Sequence, residues 1–128
     1  MDTENNKKYP YSDLTHKLIG LAFEVYKQLG AGYPEKIYQK AYEHKLDSSG
    51  IKFIRENYCR IEIDGKKIGS FKLDFLIENT VIVEMKVRNN FYNKDTAQVL
   101  AYMRDNKIKI GIILLFTNSG VQIKRLII

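Results

Sequence analysis

The hydrophobic pattern of the first fifty residues predicts two helices. Apolar residues recur every three or four positions between residues 13 and 29, the period of an amphipathic helix; they are Leu14, Leu18, Leu21, Ala22, Val25 and Leu29. Ser12 is available as the N-cap of this helix, and Gly30-Ala31-Gly32 ends it. Pro34 is expected in the first turn of a second helix, which closes near Ser48-Ser49-Gly50. The apolar stripe of that helix comprises Ile37, Tyr38, Ala41, Tyr42 and Leu46.

From Phe53 the hydrophobic period changes to two, which is typical of strands. The first strand alternates through Cys59, Ile61 and Ile63, and Asp64-Gly65 predicts a tight hairpin turn. In the second strand, one face is expected to carry Gly69, Phe71, Leu73, Phe75 and Ile77, and the other face Ser70, Lys72 and Asp74. A third strand follows at VIVEMKV, residues 81–87.

The rest of the chain predicts one more helix and two more strands. Residues 94–106 are helical in pattern, with Asn93 or Asp95 as the cap. IKIGIILLF, residues 108–116, is an apolar run without alternation, which indicates a central or parallel strand covered on both faces. A turn at Asn118-Ser119-Gly120 leads into VQIKRLII. The order α-α-β-β-β-α-β-β predicts an α/β fold, a small mixed sheet flanked by helices, in which the third helix is a crossover.

Composition favours one folded domain at residues 13–128, after a polar N-terminal tail at residues 1–12. The chain has 128 residues, of which 45% are hydrophobic and 28% charged, and this excludes a disordered protein. The single cysteine, Cys59, has no disulfide partner and is expected to be a buried small hydrophobe. One Cys and two His residues are too few for a zinc site. No segment reads as a signal peptide or membrane span, so we expect a cytoplasmic protein without membrane partners.

The net charge of +6 is concentrated at the C-terminal end. Residues 1–85 carry 13 basic and 13 acidic residues, whereas residues 86–128 carry 8 and 2. This asymmetry suggests a face for a polyanion, although a solvated surface would explain any single basic residue equally well. The candidate phosphate contacts are Arg88, Lys94, Arg104, Lys107, Lys109, Lys124 and Arg125.

Glu84 and Lys86 raise a question about the third strand, since side chains two apart leave the same face. By themselves, Glu84 and Lys86 are a surface ion pair. Together with Asp74 from the second strand, they would form a candidate active site. A two-residue hairpin loop puts Asp74 opposite Val83 and the two acids on different faces. A three-residue loop centred on Asn79 puts Asp74 opposite Glu84. We expect the second register, because the first would bury an unpaired charge in an apolar layer.

Two carboxylates and a lysine on one face are suited to a particular chemistry. Carboxylates are hard oxygen ligands that favour Mg²⁺ or Mn²⁺, which readily accept phosphate oxygens as further ligands. A neighbouring lysine can hold or deprotonate an attacking water and stabilise negative charge. The pattern Asp-x9-Glu-x-Lys is loose by itself.

Further motifs give the chain a family resemblance. Gly32-Tyr33-Pro34-Glu35-Lys36-Ile37-Tyr38 is a Gly-x-x-Glu-x-x-Tyr motif, and Gln98-Val99-Leu100-Ala101-Tyr102 is a Gln-x-x-x-Tyr motif. Together with Asp74 and Glu84-Met85-Lys86, these motifs make the chain resemble the GxxExxY family of the PD-(D/E)XK nuclease superfamily, from about Leu14 to Ile127. Leu73 replaces the proline of the superfamily's name.

The resemblance implies a divalent-metal-dependent nuclease that hydrolyses DNA phosphodiesters. Asp74, Glu84 and the backbone carbonyl of Met85 would be ligands of Mg²⁺ or Mn²⁺, and Lys86 would be the catalytic lysine. Glu35 would approach the same metal cluster and bind a metal through water, or bind a second metal directly. Gln98 and Tyr102 would orient the scissile phosphate or brace the lysine. A homodimer on DNA is an expectation by analogy with small members of the superfamily.

Each of these assignments has a structural alternative. Glu35 near a helix N-terminus is favourable through the helix dipole alone. Tyr38 is expected to be a core residue, Tyr102 can equally be a packed ring, and Gln98 a solvated side chain. For the whole chain, the alternatives to a nuclease are a non-catalytic nucleic-acid-binding or protein-interaction module that retains the fold, and a metal-free structural protein.

Overall fold

The computed structural model describes residues 11–128, so the predicted polar tail lies almost entirely outside the described residues. Within these residues, the predicted order of three helices and five strands is confirmed. The elements are α1 (Ser12–Leu29), α2 (Glu35–Ser48), β1 (Phe53–Ile63), β2 (Lys66–Ile77), β3 (Val81–Val87), α3 (Asn93–Asn106), β4 (Ile110–Thr117) and β5 (Gly120–Ile127).

The helix starts differ from prediction by about one residue. α1 already includes Ser12, so Tyr11 occupies the N-cap position. Pro34 is the N-cap of α2 rather than part of its first turn, because its ψ of 155° keeps the backbone extended. Tyr92 is the N-cap of α3.

The strands form one sheet in the order β1-β2-β3-β4-β5. Neighbouring strands are antiparallel, except that β3 and β4 pair in parallel from Val81↔Ile110 to Val87↔Phe116. α3 is therefore the crossover that was predicted, since a parallel pair needs a long connection. All eight residues of β4 are buried, as its unbroken apolar run indicated.

Helices cover both faces of the sheet and make two apolar clusters. The first cluster packs α1 and α2 against Val81, Val83 and Met85 of β3 and the alternate residues of β4. The second packs α3 against Ile82 of β3 and Ile113 of β4, and it includes Cys59, which is buried as predicted. A strand buried on both faces needs such a layer on each side.

α3 approaches β4 closely at Gly111. A Cβ atom built on this glycine would lie 2.7 Å from the Met103 sulfur and 2.8 Å from a Val99 methyl carbon. Both distances are shorter than any ordinary van der Waals contact, so the absence of a side chain at this position allows the helix to dock.

The unbroken alternation predicted for β2 is wrong at Asp74. Phe71 and Leu73 pack with the second cluster, whereas Phe75 and Ile77 belong to the first. The change of face coincides with Glu56 of β1, which has a φ of +58°. This residue lies between the pairs Arg55↔Phe75 and Asn57↔Leu73, directly across from Asp74. A left-handed residue inside a strand interrupts the pleat and re-aims its neighbours.

The helices in the described part of the chain include none that is both long and apolar enough to cross a membrane.

Candidate active site

β2 and β3 are paired over a short distance and then separate. Their ladder runs through Ile77↔Val81, Leu76↔Ile82 and Phe75↔Val83. The next positions outward are Asp74 and Glu84, so the predicted register is confirmed. Beyond this point β2 stays paired with β1 and β3 with β4, and the two acids lie at the opening between the strands.

The loop between these strands has the three residues that the register requires. Glu78 and Asn79 adopt positive φ values of 51° and 57°, and the Thr80 N–H donates to the Ile77 carbonyl at 2.9 Å. The left-handed positions thus fall before Thr80, a β-branched residue that is poorly suited to positive φ. The side chain of Glu78 also accepts a hydrogen bond from the Lys52 N–H at 3.0 Å.

The two acids bond to the backbone of each other's strand at the opening. The Asp74 N–H donates to Glu84 Oε1 at 3.0 Å, and the Met85 N–H donates to Asp74 Oδ2 at 2.8 Å. Buried backbone donors need a partner, and here carboxylates replace the missing sheet ladder. Both acids are nearly inaccessible, with 6% of Asp74 and 3% of Glu84 exposed.

Burial in this opening raises the pKa of both carboxyl groups. For Glu84 the cause is desolvation, reinforced by the negative charge of Asp74 and partly offset by Lys86, and the pKa rises to about 8. Desolvation also raises the pKa of Asp74, against the effect of the Met85 N–H and Lys86. Two adjacent buried acids therefore resist being ionised together unless a cation joins them.

Lys86 is the cation nearest to this acid pair. Its Nζ lies 3.4 Å from Glu84 Oε2, so the two side chains share a face as the spacing predicted. Burial lowers the pKa of Lys86, but the charges of Glu84, Glu35 and Asp95 raise it more, and the net shift is upward. The amine is therefore charged at neutral pH.

The Gly-x-x-Glu-x-x-Tyr motif places Glu35 beside this cluster. Gly32 has a φ of +101°, which glycine adopts without strain. The Tyr38 hydroxyl donates to the Gly30 carbonyl, and its ring stacks on Phe116 at 4.6 Å between centroids. Tyr38 is thus a core residue, as predicted, and it fixes the loop from which α2 begins.

Glu35, the first residue of α2, is half-buried and lies near both Lys86 and Asp74. Its pKa is raised by burial; Lys86 lowers it, Asp74 raises it, and Arg88 and a hydrogen bond from the Val87 backbone lower it. These interactions place the carboxylate at the end of β3, on the α2 side of the opening.

A polar network around Gln39 was missed by sequence reasoning. The Gln39 amide nitrogen donates to Glu35 Oε2 at 3.1 Å and to Asp74 Oδ1 at 3.2 Å. Its amide oxygen accepts from Arg55 Nη2 at 3.2 Å, and Arg55 Nη1 donates to Glu43 Oε1 at 2.7 Å. Glu35, Gln39 and Glu43 are spaced by four residues on one helix face, a signal that was available in the sequence.

Gln98 and Tyr102 both lie on α3. Tyr102 is 5% exposed and packs in the second apolar cluster, where burial and the neighbouring Cys59 raise the pKa of its hydroxyl. Gln98 is half-buried one turn earlier on α3. Neither residue lines the cleft at the strand opening.

An ion pair between Arg88 and the buried Asp95 connects the end of β3 to the first turn of α3. Arg88 pairs with Asp95, which is 3% exposed, and its guanidinium lies 4.0 Å from the centroid of the Tyr92 ring. Asp95 is therefore a structural partner in the first turn of α3, rather than its N-cap.

The acids open into a cleft of about 200 Å³, lined by Glu35, Lys36, Gln39, Arg55, Glu56, Lys72, Asp74, Glu84 and Lys86. Within residues 11–128, no three acidic, His or Cys side chains converge in a metal-ligand group. Glu35 and Asp74 are instead bridged by the Gln39 amide. The donor set still fits a hard divalent cation, because two facing buried carboxylates have one lysine to balance them and carboxylate oxygens suit Mg²⁺ or Mn²⁺.

Comparison with known proteins found a similar solved structure and a matching family model. The solved structure titled "Crystal structure of SSO0001" is similar at 19% sequence identity and a TM-score of 0.57, covering 72% of this chain and 50% of that chain. This chain thus spans half the length of that structure, and the similarity supports the fold. No curated protein matches the chain. Residues 12–126 match the family model of the PD-(D/E)XK nuclease superfamily. The chain therefore belongs to the PD-(D/E)XK nuclease superfamily.

Proposed function

We propose that this protein is a divalent-metal-dependent nuclease that hydrolyses DNA phosphodiester bonds, and that it belongs to the GxxExxY family within its superfamily. The observation that carries the proposal is the convergence of Asp74, Glu84 and Lys86 at the opening between β2 and β3. Membership of a nuclease superfamily makes nucleic acid the substrate class.

The acids of the opening would hold Mg²⁺ or Mn²⁺. Asp74 and Glu84, with the backbone carbonyl of Met85, are the proposed ligands, and Glu35 would contribute from α2 through water or a second ion. Each carboxylate oxygen can accept more than one bond, so metal ligation is compatible with the backbone hydrogen bonds of both acids. The bound metal would polarise the phosphodiester and activate water.

Lys86 is proposed as the catalytic lysine. Because the pKa of its amine is raised above the ordinary lysine value, the amine is protonated at neutral pH and is a hydrogen-bond donor. It can therefore hold an attacking water or stabilise the charge that develops on the phosphate, and these roles suit it better than that of a base. Its partner Glu84 fixes the amine at the mouth of the cleft.

Gln98 and Tyr102 enter the proposal through the family resemblance, as residues that orient the phosphate or brace the lysine. Neither side chain lines the cleft, so their substitution should lower activity less than substitution of Lys86.

The proposal is tested by cleavage of plasmid, single-stranded and branched DNA in Mg²⁺ and in Mn²⁺. Lys86→Ala and Asp74→Ala should each lower the rate by about 100-fold or more, as loss of a charge-stabilising group does. Lys17→Ala, at an exposed position on α1, is the matched control. Thermal melting of each variant separates loss of activity from loss of fold, which matters most for Asp74 because it satisfies the Met85 N–H.

Cleavage that is equal in all variants would point to a contaminating enzyme and sink the proposal. DNA binding without metal-dependent cleavage by the folded protein would indicate a non-catalytic module instead.

A further inference from the structure

Two exposed lysines of α2 extend the cleft beyond the acids. Lys36 and Lys40 line a second depression of about 210 Å³, together with Gln39, Arg55 and Glu56. Four of its five lining residues also line the acidic cleft, and Lys40 is the addition. The two depressions therefore adjoin, and together they are called the groove from Lys40 to Lys86.

The basic side chains of this groove differ in whether they are already paired. Lys72 faces Glu56 at 3.7 Å and Lys86 faces Glu84. Each of the three guanidinium nitrogens of Arg55 already donates a hydrogen bond, to Glu43, Gln39 or the Asp74 carbonyl. Among the ion pairs of residues 11–128, none involves Lys36 or Lys40.

A polyanion that approaches this cleft meets Glu35, Glu56, Asp74 and Glu84, and it needs unpaired cations beside them. Lys36 and Lys40 are one helical turn apart, which brings their Cβ atoms to within about 5–6 Å of each other on the same face. Flexible lysine side chains at this spacing can reach neighbouring phosphates along one strand.

We propose that Lys36 and Lys40 bind the backbone phosphates next to the scissile one, so that a nucleic-acid strand lies along the first two turns of α2. This inference rests on the proposed function of the cleft. It assigns the strand-binding role to the N-terminal half of the chain rather than to its basic C-terminal third.

The basic residues of the C-terminal third provide an internal comparison. Arg104, Lys107 and Lys109 line a different depression of about 440 Å³, at the end of α3, with Met103, Ile108 and Ile128. None of these residues lines the cleft, so this part of the excess positive charge lies elsewhere on the surface.

The test compares two double variants that change the net charge equally. Lys36→Gln/Lys40→Gln alters the groove, and Lys107→Gln/Lys109→Gln alters the end of α3; glutamine keeps helix propensity close to that of lysine. Fluorescence anisotropy of labelled single-stranded and duplex oligonucleotides is measured across a salt series in EDTA, which removes metal-dependent cleavage. The groove variant should bind more weakly, with a salt slope smaller by about one for each lysine lost.

The outcomes separate this inference from the proposed function. An equal loss of binding in both variants would mean that binding follows net charge. A loss of binding in the Lys107/Lys109 variant alone would place the strand at the end of α3. Either result overturns the inference, and so does unchanged binding in both variants. A protein that never cleaves DNA but loses binding in the groove variant would refute nuclease activity and leave the strand path intact.

Discussion

Gln39 connects the acidic side of the cleft to the basic network around Arg55. Its amide donates to Glu35 and Asp74 and accepts from Arg55, so every polar atom of the side chain has a defined partner. Glu43 in turn holds Arg55 on the α2 side. Such outer partners fix the orientation of side chains that bind metals, and their loss commonly costs affinity.

Replacement of Gln39 by leucine should therefore weaken divalent-metal binding. The substitution removes the donors that orient Glu35 and Asp74 while keeping side-chain volume, and we expect Mn²⁺ affinity to fall by about 10-fold or more. Isothermal titration calorimetry with Mn²⁺ measures the effect, beside Gln28→Leu at an exposed position of α1. Equal affinity in wild type and Gln39→Leu would show that the network does not orient the ligands.

The buried acids should make the stability of the metal-free protein depend on pH. The pKa of Glu84 is about 8 in the folded chain against 4.5 for an ordinary glutamate. Between these values the folded state binds more protons than the unfolded state, so the free energy of unfolding falls as pH rises through that window. The raised pKa of Asp74 acts in the same direction.

Glu84→Gln should flatten this pH dependence without abolishing it, because Asp74 remains. Urea unfolding in EDTA at a series of pH values gives the comparison, with Glu24→Gln on the exposed face of α1 as a control. If the stability of the wild-type protein instead rose from weakly acidic to neutral pH, the raised pKa values of Glu84 and Asp74 would be contradicted.

At the scale of elements, the register of β2 and β3 was predictable because one alternative would have buried an unpaired Asp74. The change of face at Asp74 was not predictable, since it depends on the left-handed conformation of Glu56, a residue with no local preference for it. The Gln39–Arg55 contact likewise depends on how α2 docks beside β1, although the four-residue spacing on α2 was visible. The hydrophobic period thus predicts the helices and strands and how the strands pair. Polar contacts between elements can be predicted only when the packing of those elements is known.

The docking of α3 on β4 gives a prediction at the same scale. Gly111→Ala should destabilise the protein by about 1–3 kcal/mol, because the added methyl group collides with Val99 and Met103 and overpacks the second cluster. Gly20→Ala in α1 has open space at its Cβ and should instead stabilise the protein by about 0.5–1 kcal/mol. Urea unfolding measures the change in stability of both variants. Similar changes in the two would show that α3 can move away from β4 to accommodate the added methyl group.

For the molecule as a whole, the distribution of charge along the sequence gave an incomplete guide to the distribution in space. Residues 86–128 hold the excess of basic residues, yet of these only Lys86 lines the cleft, and its other lysines come from α2 and β2. The acids named by the sequence motifs do come together in space, because their positions depend on strand register and a helix start. The other residues of the cleft come from segments that are far apart in the chain. Counting charges along the sequence does not show that these segments meet in space.

The hydrogen bonds that Asp74 and Glu84 accept from the backbone affect how these positions can change during evolution. If either acid were lost, a buried N–H at the strand opening would lack its partner, so selection for folding alone would tend to retain both acids. Lys86 pairs with a side chain and sustains no strand pairing of this kind. If Lys86 has the catalytic role proposed above, it would be the first of the three residues to change in a lineage that had ceased to cleave nucleic acid. Its identity would then be a better marker of activity than the acids are.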